Sequence, residues 1–167
     1  DYALSLNNLG GLYTNMGDYK SAEYNLKLAL EIRFKSLGKI NSDYASTLNF
    51  LGLLYTKIGD FNTALSRFRE SLEIRKKVLG ENHKDYAISL NNIAGVYKLM
   101  GDYKTATIYM RQVLLTIEKS QGITHQNYSI GLRNLGNLYC LTGDYDLAEK
   151  YLKKSLETIK EKLIKEN

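Results

Sequence analysis

The sequence predicts an all-α solenoid of four helix-turn-helix repeats. Three observations carry that reading: a 42-residue period, apolar residues spaced three and four apart inside each period, and a glycine-aspartate pair near each unit's middle. Asp1-Tyr2-Ala3, Asp43-Tyr44-Ala45, Asp85-Tyr86-Ala87 and Asn127-Tyr128-Ser129 open the units, which run 1–42, 43–84, 85–126 and 127–167. A unit of this size cannot bury its apolar face alone, so stacking on its neighbours is what folds it. The four are expected to form one array and one domain. Because the first helix pattern already starts at residue 1, that array is expected to be a fragment of a longer protein.

The first helix of each unit, helix A, is marked by Leu6, Leu9, Gly10 and Tyr13. The pattern returns as Leu48, Leu51, Gly52, Tyr55, as Leu90, Ile93, Ala94, Tyr97, and as Leu132, Leu135, Gly136, Tyr139. These positions share one helical face. Gly17-Asp18, Gly59-Asp60, Gly101-Asp102 and Gly143-Asp144 come next. Glycine there can end helix A in the left-handed conformation, and aspartate can accept from the free amides that open the following helix. Helix B carries Ala22, Leu26, Ala29 and Leu30 and their equivalents, small residues facing large ones so that two antiparallel helices approach closely. It runs on to Gly38, Gly80 and Gly122; the fourth unit lacks that glycine and is expected to stay helical toward the terminus.

Leu-Gly-x-x-Tyr followed by Gly-Asp-Tyr and the small-and-large run of helix B resembles the tetratricopeptide repeat. The lengthened helix B, with Leu-Asn-Asn-Leu-Gly and Leu-Glu-Ile-Arg-Lys-Lys-Val-Leu-Gly-Glu-Asn-His, resembles the kinesin light chain subclass. The resemblance covers the whole chain. It implies a right-handed superhelix whose concave groove is lined by helix A and serves as a protein-protein interaction scaffold. One departure stands out: Ser42, Lys84 and Gln126 occupy the place where the family usually has proline. With no proline in the chain, the turns between repeats are less preset in φ.

Charge and composition exclude several functions. The formal charge of +5 is spread as +1, +2, +1 and +1 over the units, with no tail or stripe for a phosphate backbone, so nucleic acid is not an expected partner. Lys27, Arg69, Arg111 and Lys153 form a ladder on helix B; Glu31, Glu73 and Glu157 stand four residues after three of them, which reads as solvated helix pairs. No apolar run reaches the roughly twenty residues that span a bilayer, so no membrane partner is expected. Cys140 is the single cysteine, which fits a reducing, cytoplasmic setting. His83 and His125 occupy the same place in successive loops, without cysteine or carboxylate at ligand spacing, and no metal is expected. Neither a phosphate loop, a nucleophile elbow nor a paired carboxylate appears, so the chain reads as a non-enzyme without cofactors.

Function is then expected on the groove. Its candidate contact residues are Asn7, Asn49, Phe50, Leu53, Lys57, Asn91, Lys98, Leu99, Arg133, Asn134 and Asn137, none of them acidic. Asparagine is a poor helix-interior residue, so its recurrence in helix A asks for a reason. Either the amides grip the backbone of an extended peptide, as the resemblance implies for Asn7, Asn49 and Asn91, or they bond between neighbouring helices. Lys57, Lys98 and Arg133 bias the wall positive, and Phe50, Leu53 and Leu99 could seat one bulky side chain. The expected partner is a protein or peptide carrying an acidic linear motif. The competing role is a structural spacer, or an array that self-associates end to end through the uncovered face of the first helix A and through Leu152, Leu156 and Leu163 on the last helix B.

Overall fold

A computed structural model describes residues 2–122 and 126–165, which form eight α-helices; His125 lies outside the described residues. The A helices are α1 (Tyr2–Met16), α3 (Ser42–Ile58), α5 (Lys84–Leu99) and α7 (Gln126–Thr142). The B helices are α2 (Tyr19–Leu37), α4 (Phe61–Leu79), α6 (Tyr103–Gln121) and α8 (Tyr145–Lys165). Each A helix packs on the B helix that follows it. Two compact units result, Asp1–Gly80 with α1 to α4 and Glu81–Asn167 with α5 to α8.

The turn inside each repeat is made as its residues dictate. Gly59 adopts φ 90°, ψ 4° and ends α3, a conformation that a side chain would strain. The carboxylates of Asp18, Asp60 and Asp102 then accept from the backbone N–H groups of Ser21, Thr63 and Thr105 at 3.1, 3.0 and 3.0 Å. Hydrogen bonds from those same three residues, their side chains foremost and their amides next, hold the exposed carboxyls below the usual aspartate range. A carboxyl held low stabilises the fold above its unfolded pKa, near 3.8, and that contribution is lost as pH falls through the lower folded value. The melting temperature should therefore drop between about pH 5 and about pH 2. Asp60→Asn and Asp102→Asn keep the acceptor but not the titration, and scanning calorimetry should find the drop flattened in that double variant.

Helix A also receives caps from the preceding loop. The Asn41 side chain accepts from the Asp43 amide at 2.8 Å, and His83 Nδ1 accepts from the Asp85 amide at 3.1 Å. His83 therefore has a structural task, opening α5, which its loop position alone does not reveal.

Within the first unit, Ala22 and Leu26 of α2 cluster with Leu51 and Leu54 of α3, while Leu30 packs against both this cluster and that of Tyr44, Ala45, Leu48 and Ile74. The α2–α3 seam is polar at one point. Arg33, 4% exposed, donates from Nη1 to the Asp43 carbonyl and to Thr47 Oγ1, both at 2.6 Å. Within the second unit the corresponding seam is apolar: Ile117 stands at the repeat position of Arg33, and a Cβ at Gly131 of α7 would meet Leu114 Cδ1 at 3.1 Å and Ile117 Cδ1 at 3.9 Å.

Two expectations are corrected. Lys27 and Lys153 form their close ion pairs with Glu23 and Glu149, one turn before them, at 2.7 and 2.6 Å; Glu31 takes Lys35 at 2.6 Å, and Glu157 acts on Lys153 only as a weaker, more distant charge. Glutamate preceding lysine is the orientation favoured along a helix. Leu152 is also not part of an open end, because it packs on Gly136 of α7, where a Cβ would lie 2.8 Å from Leu152 Cγ. Leu156 and Leu163 do stay exposed.

Candidate functional site

Each unit carries a cleft against its A helices. In the first unit, α1 and α3 enclose about 470 Å³ between Asn8, Gly11, Asn15, Phe50, Leu53 and Lys57. Phe50 seats its ring on the bare backbone of Gly11, where a Cβ would lie 2.9 Å from Phe50 Cε1. That contact lets α1 and α3 touch directly. Asn7 lies one turn before Gly11 on the same helical face and is left 2% exposed, its Oδ1 without a hydrogen-bond partner among the described residues.

The second unit is built differently. Asn134 of α7 stands at the repeat position of Phe50, and Gly95 of α5 at that of Gly11, yet a Cβ on Gly95 would meet nothing within 4 Å. A short amide cannot bridge to the facing helix as an aromatic ring does. Among the described residues no Cα of α5 comes within 8 Å of one of α7, and a cleft of about 400 Å³ opens between them. Its floor is Met110, Val113 and Ile117 of α6, and its rim holds Lys84, Ile88, Asn91, Asn127, Ile130 and Asn134. A second hollow of about 180 Å³ continues it, sharing Asn91, Met110 and Asn134 and adding Gly95, Lys98 and Asn137. No carboxylate lines any of these three spaces. Apolar floor, side-chain amides and lysine together suit an extended chain whose backbone needs hydrogen bonds and whose charge is negative.

The sequence-derived candidates divide accordingly. Phe50, Leu53 and Lys57 come together in the first unit's cleft, and Asn91, Lys98, Asn134 and Asn137 in the second's. Asn7 and Asn49, 2% and 7% exposed, are turned inward and line none of the three; in the first unit the exposed amide on the cleft is Asn8. Leu99 and Arg133 are exposed but also line none of them. Lys84 and Asn127, in the first turns of α5 and α7, join the site unforeseen, as do the α6 residues of its floor, which lie on a B helix outside the A-helix wall. The sequence signal for that floor is the run Val113, Leu114, Ile117, bulkier than Ala29 at one position and apolar in place of Arg33 at another. Among the described residues no group of His, Cys, Asp or Glu could hold a metal ion, and no helix is long and apolar enough to cross a membrane.

The family model described as tetratricopeptide repeat matches residues 1–77, 43–114 and 85–161. Among solved structures, BtubC (BKLC) from P. vanneervenii superposes with a TM-score of 0.82 at 22% identity, covering 93% of this chain and 62% of that one. The kinesin light chain nearly identical TPR-like repeats of Podosopora anserina give 0.80 at 20% identity, covering 92% and 72%. A Rap protein complexed with competence and sporulation factor gives 0.78 at 18% identity, covering 95% and 43%. At these identities the likeness is one of fold. No curated protein matches the chain.

Proposed function

The chain belongs to the tetratricopeptide repeat family, and from that premise we propose that it binds an extended, acidic peptide segment of a protein partner along the clefts of its A helices. The family is typically a non-enzymatic protein-protein interaction scaffold. The reading rests above all on the second unit's cleft, where Asn91 and Asn134 face each other across an apolar floor with Lys84 and Lys98 at the rim and no acid opposite them. Amides offer donors and an acceptor to a peptide backbone, the lysines select negative side chains, and the floor seats one aliphatic or aromatic residue. A Rap protein of this fold is complexed with competence and sporulation factor, which supports ligand capture by the architecture. The lone Cys140 agrees with a cytoplasmic site of action.

Fluorescence titration with peptides carrying one bulky apolar residue between aspartates tests this. Lys98→Glu should weaken binding about tenfold or more, with a weaker salt dependence. Asn134→Phe, which closes the second unit as Phe50 closes the first, should abolish binding there. Equal affinity for neutral peptides, or no change in Lys98→Glu, defeats the proposal.

A further inference from the structure

The two clefts differ at one repeat position. Asn8, Asn92 and Asn134 occupy it in three repeats, and Phe50 stands there in the second. Phe50 lays its ring on Gly11, where a Cβ would come within 2.9 Å of Cε1, whereas the space over Gly95, in the unit that carries Asn134, is open. The amide one turn before each glycine differs in the same sense. Asn91 is exposed on the second unit's cleft, and Asn7 is 2% exposed. The first unit otherwise keeps the same parts: a space of about 470 Å³, an apolar wall of Leu12 and Leu53, a lysine, Lys57, and no carboxylate.

Asn7 is kept at a cost to the fold. Its Oδ1 has no hydrogen-bond partner among the described residues, and a buried amide oxygen so placed forfeits the bonds it would make to water. Leucine would fill a similar volume without that loss. Two independent observations therefore coincide: an unpartnered acceptor on the face of α1 that carries Gly11, and a partly buried ring lying on Gly11 from the one repeat whose asparagine is replaced.

We infer that α1 and α3 form a second, latent binding site, built on Asn7 and closed by Phe50, for the same class of ligand, an extended acidic segment of a protein partner. The inference rests on the peptide-binding reading given above and adds a site to it. With the ring off Gly11, the Asn7 amide faces the cleft, its Oδ1 accepts a backbone N–H of the ligand, and Lys57 meets the ligand's acid. The ring must leave before the ligand enters, so the apparent affinity falls in proportion to the fraction of chains in which it has left. Phe50 thereby sets how many segments the chain holds: one tightly in the second unit, another only weakly in the first.

Isothermal titration calorimetry of the chain with the aspartate-flanked peptide should give one tight event. Phe50→Asn, which installs the residue of the other three repeats, should add a second event about tenfold tighter than any second event of the parent. Lys98→Glu should weaken the first event and spare the second; Asn7→Leu should remove the second and spare the first. Phe50→Leu, of similar reach and still apolar, takes the place of Phe50→Asn if circular dichroism finds that variant unfolded. A folded variant that still takes one peptide overturns the inference and leaves the second unit's site standing, and so does a second event that Asn7→Leu leaves unchanged. A ligand-free arm separates this failure from failure of the peptide-binding reading. By NMR, the side-chain N–H groups of Asn7 should exchange with water slowly in the parent and about as fast as those of Asn91 in Phe50→Asn. Asn7 staying protected in that variant means that the ring is not what closes the site, and overturns the inference whether or not peptide binds elsewhere.

Discussion

Replacing Phe68 by alanine is expected to cost about 3–5 kcal/mol of stability, the range for emptying a buried aromatic site. Phe68 is 1% exposed and lies across Gly52, where a Cβ would come within 2.6 to 2.8 Å of three ring atoms. The ring is therefore fitted to the absence of a side chain on α3, and the pair should behave as a unit. Gly52→Ala forces a shift worth about 1–3 kcal/mol, against about 1 kcal/mol gained from alanine's helix preference, so a modest net loss is expected. The third repeat shows the way out: Ala94 stands at the position of Gly52, and flexible Met110 at that of Phe68. Adding Phe68→Met to Gly52→Ala should recover stability that neither change has alone, and a double-mutant cycle in urea measures the coupling. Gly52→Ala proving more stable than the parent would mean that α3 and α4 separate freely, against the close fit described.

The second large effect lies at the α2–α3 seam. Arg33 is buried, and loss of solvent lowers the pKa of its guanidinium, with Asp43 nearby opposing that. It stays charged and depends on the Asp43 carbonyl and Thr47 hydroxyl to replace water. Arg33→Ala removes two charge-assisted bonds and the packing of a long stem, and should cost about 2–4 kcal/mol. Arg33→Met keeps most of the volume and leaves Thr47 bonded to the Asp43 carbonyl at 3.3 Å, so it should cost less than about 1.5 kcal/mol. Ile117 already fills this position without charge in the second unit. Urea unfolding of both variants decides the matter: equal losses would place the energy in the charge and not in the volume.

Much of the architecture was legible because it is local. Gly59 and Asp60 suffice to end one helix and open the next, and Gly38, Gly80 and Gly122 stop helix B where expected. The site was legible only in part. Asn7 and Asn91 occupy the same repeat position, yet the first is buried and the second exposed on a cleft. Nothing within either residue's own helix distinguishes them. What does is the facing helix, with Phe50 reaching Gly11 in one unit and Asn134 falling short of Gly95 in the other. His83 is similar, since its role as a cap depends on the backbone geometry of the loop around it.

The sequence by itself determined the repeat period, the eight helices, their breaks and the lack of acid along the A-helix wall, because helix periodicity, glycine φ and side-chain charge are properties of neighbouring residues. Tertiary structure alone decided which asparagines line a cleft, which helix B residues floor it, and whether a seam is held by Arg33 or by Ile117. Those outcomes depend on side-chain reach across a gap between helices, and that gap is set jointly by residues far apart in the chain.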